Sequence, residues 1–436
     1  LRIHLGIDDA DSRRGMCTTY LAVLIANSLI KRGAKFFDYP NLIRLNPNIP
    51  WKTRGNGAVA LRFDYDDVED AFNIAKSLVS KYAEKGASNP CIVLVNHVSE
   101  DLKSFARLGL FRLIRKKDAE KMAKKHDALV YCQGSGRGIV GALCAIGNTL
   151  NKDFTYELLV YRGLSKKDKV RRIDRDSVIK MSIETYPYTF NNYDEEKDRI
   201  LITPHGPDPV LLGIRGESPD ILLKALSIIK IYEDYEMYAI FRSNQGTGEH
   251  LRNRLSLKEL KPFNAGYFVA KVCKEPRMIE GGHVVFEVEN DEGIARCMVY
   301  EPASKLRFTT LSLIKGDIIE VGGGVRKASK KHTRVINVEY IKPINLVKEA
   351  RKNPICHGKR MKSLGRDKGF RCEVCGKRLG INAKITEKIE RDLEEGKVYL
   401  PPPRSQRHLT KPLQRYGLEK SNGAIKLVDN WIFVKS

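Results

Sequence analysis

Residues 3–12, Ile3-His4-Leu5-Gly6-Ile7-Asp8-Asp9-Ala10-Asp11-Ser12, decide how this chain is read. Ile3, Leu5 and Ile7 alternate with His4 and Gly6, the period of a strand, and the pattern breaks at Asp8. Gly15 and Thr18-Thr19 follow, after which Leu21, Leu24, Ile25 and Leu29 recur at helical spacing until Gly33 supplies a stop. Asp8, Asp9 and Asp11 therefore sit at a strand end and face a helix start. A helix start offers unpaired N–H groups and the positive end of the dipole, which suit phosphate, whereas clustered carboxylates repel phosphate unless a divalent cation lies between them. Asp and Ser also cap helices, but three acids within four positions exceed what capping needs. The stretch reads as a site for Mg²⁺-nucleotide chemistry, in which Mg²⁺ takes one or two carboxylates and fills its other positions with water and phosphate oxygens.

The chain has 436 residues and a net charge of +24. Its length suits roughly two to four domains. Lys and Arg are spread along the sequence instead of gathered in one tail, so the folded body presents basic surface and nucleic acid is the expected partner. Only Cys356, Cys372 and Cys375 are grouped among nine cysteines, which argues against a disulfide framework and for a reducing interior. No secretory leader pattern is visible, and Tyr20–Ile30, the longest nearly uncharged run in that region, is too short to cross a bilayer. A soluble cytoplasmic protein is expected, with no membrane and no protein partner implied.

Outward from the first helix, Trp51-Lys52-Thr53-Arg54-Gly55-Asn56-Gly57 combines an aromatic ring, two cations and a turn signal, either a stacking loop for nucleotide or RNA or a plain hairpin loop. Strands are expected at 58–63 and 91–95, and helices at 68–85 and 114–126. A strand at 128–132 then leads into Gln133-Gly134-Ser135-Gly136-Arg137-Gly138 and the apolar run Ile139–Ile146. Gly136, Gly138 and Gly141 satisfy G-x-G-x-x-G, but no acid stands where a dinucleotide ribose needs one, and no Walker A lysine motif occurs. The loop Gly134, Ser135, Gly136, Arg137 and Gly138 thus reads as a mononucleotide phosphate cradle.

Residues 150–195 are polar and basic. A compact module follows, with strands expected at 199–203, 210–214 and 236–242, a helix at 219–230, and polar turns carrying His205, Asp208, Arg215, Gly216 and Ser243–His250, a pattern fitting part of a ferredoxin-like layer and a pocket for a small cationic ligand. Five strands between 265 and 341, with the basic loop Arg326–His332 before the last, read as an OB barrel suited to single-stranded RNA. Cys356, Cys372 and Cys375 need a fourth zinc ligand, and His357 is the nearest candidate. The stiff cationic tail, with Arg404, Arg407 and Lys411, suits a phosphate backbone, while Leu409, Leu413 and Trp431 look like docking residues.

Gly6-Ile7-Asp8-Asp9-Ala10-Asp11-Ser12 with Gly15–Thr19, His205–Val210 with Gly213–Gly216, Arg242–Thr247, Lys359–Ser363 and Arg407–Pro412 together resemble the TiaS family of archaeal tRNA agmatinylcytidine synthetases nearly end to end. The resemblance implies an ATP-dependent ligase, ATP going to AMP plus phosphates. It would activate the 2-carbonyl of the wobble cytidine in CAU-anticodon isoleucine tRNA by phosphorylation and attach agmatine, so that the anticodon reads AUA. It implies a multidomain α+β fold. An N-terminal α/β kinase-like ATP-binding domain would span 1–195, with 58–127 free to pack with the next domain. A ferredoxin-like agmatine-binding domain would span 196–260, an OB-fold barrel 261–345, and a zinc ribbon with basic tail 346–436. Asp8, Asp9 and Asp11 would hold Mg²⁺, and the Thr18 hydroxyl would lie close enough to accept phosphate. His205, Asp208, Arg215 and Gly216 would form the agmatine site, with Asp208 the guanidinium's partner. Zn²⁺ would be structural, and Arg326, Lys330, Lys331, Arg404, Arg407 and Lys411 would meet RNA. One departure stands out: relatives commonly have two complete C-x-x-C knuckles, and here the first is shortened to Cys356-His357. Two other classes fit parts of the sequence, a non-catalytic OB-fold and zinc-ribbon RNA-binding protein and an ATP-dependent RNA kinase or ligase that uses no amine.

Overall fold

The computed structural model describes residues 1–53, 55–84, 86–166, 170–328, 333–421 and 425–435. In chain order its first half contains β1 (Arg2–Asp8), α1 (Thr18–Lys31), β2 (Lys35–Phe36), β3 (Asn41–Arg44), β4 (Gly57–Asp64), α2 (Val68–Tyr82), β5 (Cys91–Val95), α3 (Glu100–Leu108), α4 (Lys116–Lys125), β6 (Leu129–Cys132) and α5 (Gly138–Gly147). Next come β7 (Thr155–Tyr161), α6 (Arg175–Glu184), β8 (Thr189–Phe190), β9 (Tyr193–Asp194), β10 (Arg199–Ile200), β11 (Val210–Gly216), α7 (Pro219–Ile228) and β12 (Met237–Ser243).

All of these strands except β9 and β10 share one sheet ordered β6-β5-β1-β4-β3-β12-β7-β11-β8, with β2 on β4 and the C-terminal strand Ile432–Val434 on β12. β1 lies between β4 and β5, antiparallel to both, and Ile3, Leu5 and Ile7 are fully buried. Its other face carries Gly6, where a Cβ would come within 2.3 Å of the Ala142 carbonyl oxygen, so glycine lets α5 lie directly on the strand. β3 is the seam between the two halves, antiparallel to β4 and parallel to β12.

The fold departs from expectation in several places. The strand expected at 199–203 is only Arg199–Ile200, paired with β9 off the main sheet. β7, inside the stretch read only as polar and basic, pairs with both β11 and β12, so the second half of the sheet draws on residues well before 195. Every residue of β7 is buried, including Glu157, and that carboxylate in a short strand between basic segments hid it. Cys91 and Cys132, expected to be isolated thiols, form a disulfide across the paired strands β5 and β6. Forty-one residues separate them in sequence, and only the register of the sheet sets them opposite one another.

A closed barrel follows, made of β13 (Ala265–Met278), β14 (Val284–Asn290), β15 (Gly293–Val299), β16 (Ile318–Arg326) and β17 (Val335–Asn345) in the order β13-β14-β15-β17-β16. β15 and β17 close it in parallel, and α8 (Lys305–Leu311) lies between β15 and β16 in sequence. The barrel has its own core, whereas the C-terminal module of two- and three-stranded ladders is built around just Met361, Phe370 and Cys372. The tail then returns to the large sheet: Trp431 packs into the first core, and Arg415 is fully buried against Asp153 and Glu217. Among the described residues no helix is long and apolar enough to cross a membrane.

Candidate active site

β1 delivers Asp8 to the edge of a cleft of about 90 Å³ lined by Asp8, Asp9, Asp11, Thr18, Trp51, Lys52, Arg137 and Gly141. Asp9 adopts a left-handed backbone (φ 60°) and its carbonyl accepts from the Asn89 N–H at 3.0 Å, so the chain turns sharply and all three acids face one space. Asp11 caps α1, its Oδ1 accepting from the Thr18 N–H at 2.6 Å. Asp8 and Asp9 do no such capping.

The loop of residues 134–138 leads into α5 and approaches the same cleft. Glycine is required at Gly141, where a Cβ would stand 1.9 Å from Asp8 Oδ2, and at Gly138, where it would press on the Asp8 and Asn89 carbonyls. Gly134 and Ser135 are exposed at the loop's tip, held by Asn89 Oδ1, which accepts from the Ser135 N–H at 2.8 Å, and by Lys116, which donates to the Ser135 carbonyl. Arg137 and Gly138 line the cleft, whereas Gly134, Ser135 and Gly136 do not. The far end of α5 is fixed by two buried arginines. Arg62 donates to the carbonyls of Ala145, Ile146 and Asn148, and Arg242, paired with Asp38, donates to those of Thr149 and Leu150. Cations at the negative end and an open positive end aimed at the cleft favour an anion there.

Burial, reinforced by Asp9, pushes the Asp8 carboxyl well above its ordinary range; burial and Asp11 push Asp9 up to about 7, against the opposing pull of Arg137. Carboxylates gathered on one cleft and ion-paired to no cation among the described residues are the donor set a hard divalent cation takes, so the residues fit Mg²⁺. A proton held by Asp9 in the folded chain up to about pH 7 is released by the unfolded chain near pH 4. The folded state therefore binds more protons at Asp9 between those values, and the Asp9 contribution to the stability of the metal-free protein falls as pH rises from about 4 through 7, opposite in sign to that of the buried neutral imidazoles His4 and His408. In chelator, raising the pH from 5 to 8 should move the thermal midpoint of wild type less favourably than that of Asp9→Asn; an equal shift in the two rules Asp9 out as a contributor.

A second cavity of about 290 Å³ shares Asp11, Thr18 and Gly57 with the first and is otherwise lined by Arg44, Glu157, Asp208, Arg215 and His408 among others. Thr18 is buried, and its Oγ1 accepts from the Ala10 N–H at 3.3 Å. Glu157, absent from the sequence reading, is held by Arg215 Nε at 3.2 Å, by Gln245 Nε2 at 2.5 Å and by Arg44. His408 reaches in from the tail, its Nδ1 lying 2.9 Å from an Arg215 nitrogen and 3.2 Å from Gln245 Oε1. Desolvation and the neighbouring Arg44 and Arg215 keep that imidazole neutral. Asp208 is buried at the cavity edge and paired with Arg171. Of the expected agmatine residues, Asp208 and Arg215 line the cavity. His205 is exposed and contacts Arg199, and Gly216 ends β11, packed against the Tyr188 carbonyl and Leu222.

The expected RNA contacts fare unevenly. Arg326 is exposed over the Tyr300 ring. Arg404 is engaged by Asp194 at 2.7 Å and Glu196 at 3.0 Å, and Lys411 by Glu419, so these two cations are used within the fold. Arg407 has no ion pair among the described residues. Lys330 and Lys331 lie outside them.

In the C-terminal module the ligand atoms of Cys356, His357, Cys372 and Cys375 all lie within 4.8 Å of one another. The Cys356–Cys375 sulfur separation is 3.8 Å, and His357 Nδ1 is 3.8 Å from Cys372 Sγ and 3.2 Å from Cys356 Sγ. Tetrahedral zinc with bonds of about 2.0–2.3 Å needs ligand atoms roughly 3.3–3.8 Å apart. The set fits, and the left-handed backbone of His357 (φ 54°) is what turns a residue adjacent to Cys356 back towards the same point. With so small an apolar core, this module should lose its structure when a strong chelator is added, shown by new protease cleavage confined to residues 353–393, while ATP binding stays unchanged. Cleavage spread over the whole chain would show that the metal is not local to the ribbon.

Family models of the TiaS TCKD domain, the TiaS FLD domain and the TiaS C-terminal zinc ribbon domain match residues 4–135, 136–250 and 353–393. The Pyrococcus horikoshii tRNA 2-agmatinylcytidine synthetase TiaS is 43% identical over 424 residues, covering 94% of this chain and 96% of its own. The chain belongs to the TiaS family. Solved TiaS structures agree in fold. A complex of TiaS with its tRNA and ATP, 39% identical, matches with a TM-score of 0.84 over 95% of this chain and 97% of its own. A complex of TiaS with the tRNA, AMPCPP and agmatine, 36% identical, matches at 0.83 over 95% and 97%. The multidomain α+β architecture with a C-terminal zinc ribbon is that of TiaS. Arg44, Asn89, Glu157 and His408 are among the site residues that sequence reading passed over; of these four His408 alone carried a signal, as part of the Arg407–Pro412 motif.

Proposed function

We propose that this TiaS protein is an ATP-dependent ligase that phosphorylates the 2-carbonyl oxygen of the wobble cytidine in CAU-anticodon isoleucine tRNA and replaces it with agmatine. The observation that carries this reading is the common wall of Asp11 and Thr18 between an acid-lined cleft suited to nucleotide phosphates and a second cavity with its own buried carboxylates. A carbonyl of this kind resists an amine until its oxygen is made a leaving group. The cytidine oxygen takes a phosphoryl group, the primary amine of agmatine then attacks C2, the C2–O bond breaks, and the oxygen departs with phosphate while the amine gives up a proton.

Asp8, Asp9 and Asp11 would hold Mg²⁺, which supplies charge neutralisation to phosphates during transfer. Arg137 and the α5 N-terminus hold phosphate oxygens, and the Thr18 hydroxyl takes part in the transfer. Asp208 and Glu157 face the guanidinium. We assign the nucleotide chemistry to the first half of the large sheet and agmatine to the second. We read the five-stranded barrel as an OB fold that, with the ribbon, grips tRNA, and place the reaction in the cytoplasm with that substrate. The second cavity favours this over an amine-free kinase or ligase, and the acid cluster favours it over a passive RNA-binding protein.

The test is mass spectrometry of nuclease-digested CAU-anticodon transcript after incubation with protein, ATP, Mg²⁺ and agmatine. A nucleoside heavier than cytidine by agmatine minus water, formed only when all components are present, is expected. An unchanged digest from protein that binds the transcript would overturn the reading.

A further inference from the structure

On the other side of the Leu108–Ile114 loop from the nucleotide cleft lies a groove of about 570 Å³ that neither cavity accounts for. Its walls are α3, the loop after α5 and the turn at 248–253, the far end of the Ser243–His250 segment. Lys103, Arg107, Lys152 and Arg252 project into it, the last three exposed and without an acidic partner within ion-pair distance among the described residues. Among them stands Glu249, half-buried, whose carboxylate has no hydrogen bond or ion pair among those residues. Burial holds its carboxyl above the usual range, against Arg252, Lys152 and Arg107.

Three cations along one groove with no acidic partner among the described residues, Arg252 donating only to the Thr247 carbonyl, match a polyanion, and a lone acceptor between them suits a neutral donor from the ligand. The loop ties this groove to the chemistry, since Gly109 and Arg112 line the nucleotide cleft while Leu108, Leu110 and Phe111 line the groove. A strand leaving the reacting nucleotide could cross that loop directly. RNA supplies both needs, phosphates for the cations and a 2′-hydroxyl for the carboxylate. We propose that this groove holds the ribose–phosphate backbone of the tRNA strand beside the modified cytidine, with Arg107, Lys152 and Arg252 on phosphates and Glu249 accepting a ribose 2′-hydroxyl. The inference rests on tRNA being the substrate, as proposed above.

The test compares the full chain with Arg107→Ala/Lys152→Ala/Arg252→Ala, and with Lys117→Ala/Lys121→Ala/Lys124→Ala, which removes the same charge from exposed positions on α4 that line none of these spaces. Binding of CAU-anticodon transcript is titrated from low to moderate salt. Losing about three phosphate contacts should make the log–log salt slope shallower by roughly 2–3 and raise KM for tRNA by ~10-fold or more, with KM for ATP and agmatine unchanged. The α4 variant should keep the wild-type slope. Glu249→Ala should weaken binding of the ribose transcript but not of one carrying 2′-deoxy residues beside the wobble position. A wild-type slope in the groove variant, or an equal loss in the α4 variant, overturns the proposal. A protein that binds the transcript with the expected slopes yet makes no agmatine product would instead overturn the reading of its function and leave the groove standing.

Discussion

Asp8→Asn is expected to lower agmatine-dependent product formation by about 10³-fold or more, the scale on which electrostatic clamps act on transferring phosphoryl groups. The substitution keeps the side chain's size beneath Gly141, so α5 has no reason to move. It removes a buried negative charge that Asp9 already disfavours, so the metal-free variant should be at least as thermally stable as wild type at pH 8. Activity and stability thus move in opposite directions, which a folding defect would not produce. Product measured by nucleoside mass spectrometry and a thermal midpoint on the same preparation check both. A variant that retains most of its activity would remove Asp8 from the metal set.

Thr18→Val should be equally damaging, for a different reason. The change keeps the side chain's shape but deletes the one hydroxyl that, among the described residues, lines both cavities, and it also leaves the buried Ala10 N–H without its acceptor, at about 1–3 kcal/mol. Thr18→Ser restores both functions of the oxygen. If the hydroxyl takes part in phosphoryl transfer, Val abolishes product and Ser retains it, and intact-protein mass spectrometry of wild type with ATP shows the added mass of a phosphoryl group that Val lacks. If Thr18→Val makes product at a rate near wild type, the hydroxyl only supports the turn.

The place of both residues in the fold was legible because its signal is local, whereas the part given to the Thr18 hydroxyl came from the family resemblance alone. The alternation of Ile3, Leu5 and Ile7, the break at Asp8 and the helical spacing from Leu21 fix a strand, a turn and a helix within a few turns of chain, and the acids fall between them. The zinc ligands were legible in the same way, the Cys-x-x-Cys spacing bringing Cys372 and Cys375 together and the turn at His357 bringing its ring to Cys356. What escaped notice depends on pairing between distant segments. Glu157 is a site residue because β7 lies between β11 and β12, a register no run of seven residues announces. His408 meets Arg215 across 193 residues, and the cations of the tail that carries it read as phosphate contacts because nothing local reveals that Asp194 and Glu196 engage Arg404.

The docking of that tail bears on how the molecule comes to be assembled. Tyr39 Oη donates to the Lys426 carbonyl across 387 residues, and the strand Ile432–Val434 occupies the same edge of β12 that β3 uses further along. Closing so long a loop carries a large entropic cost before any contact compensates it, so these pairings form late. Until they do, Met237–Ala239 remain an unprotected strand edge and the second cavity lacks His408. Chains interrupted between the barrel and the tail would accumulate as sticky, catalytically incomplete intermediates, and refolding yield should fall steeply with protein concentration for the truncated chain but not for the intact one.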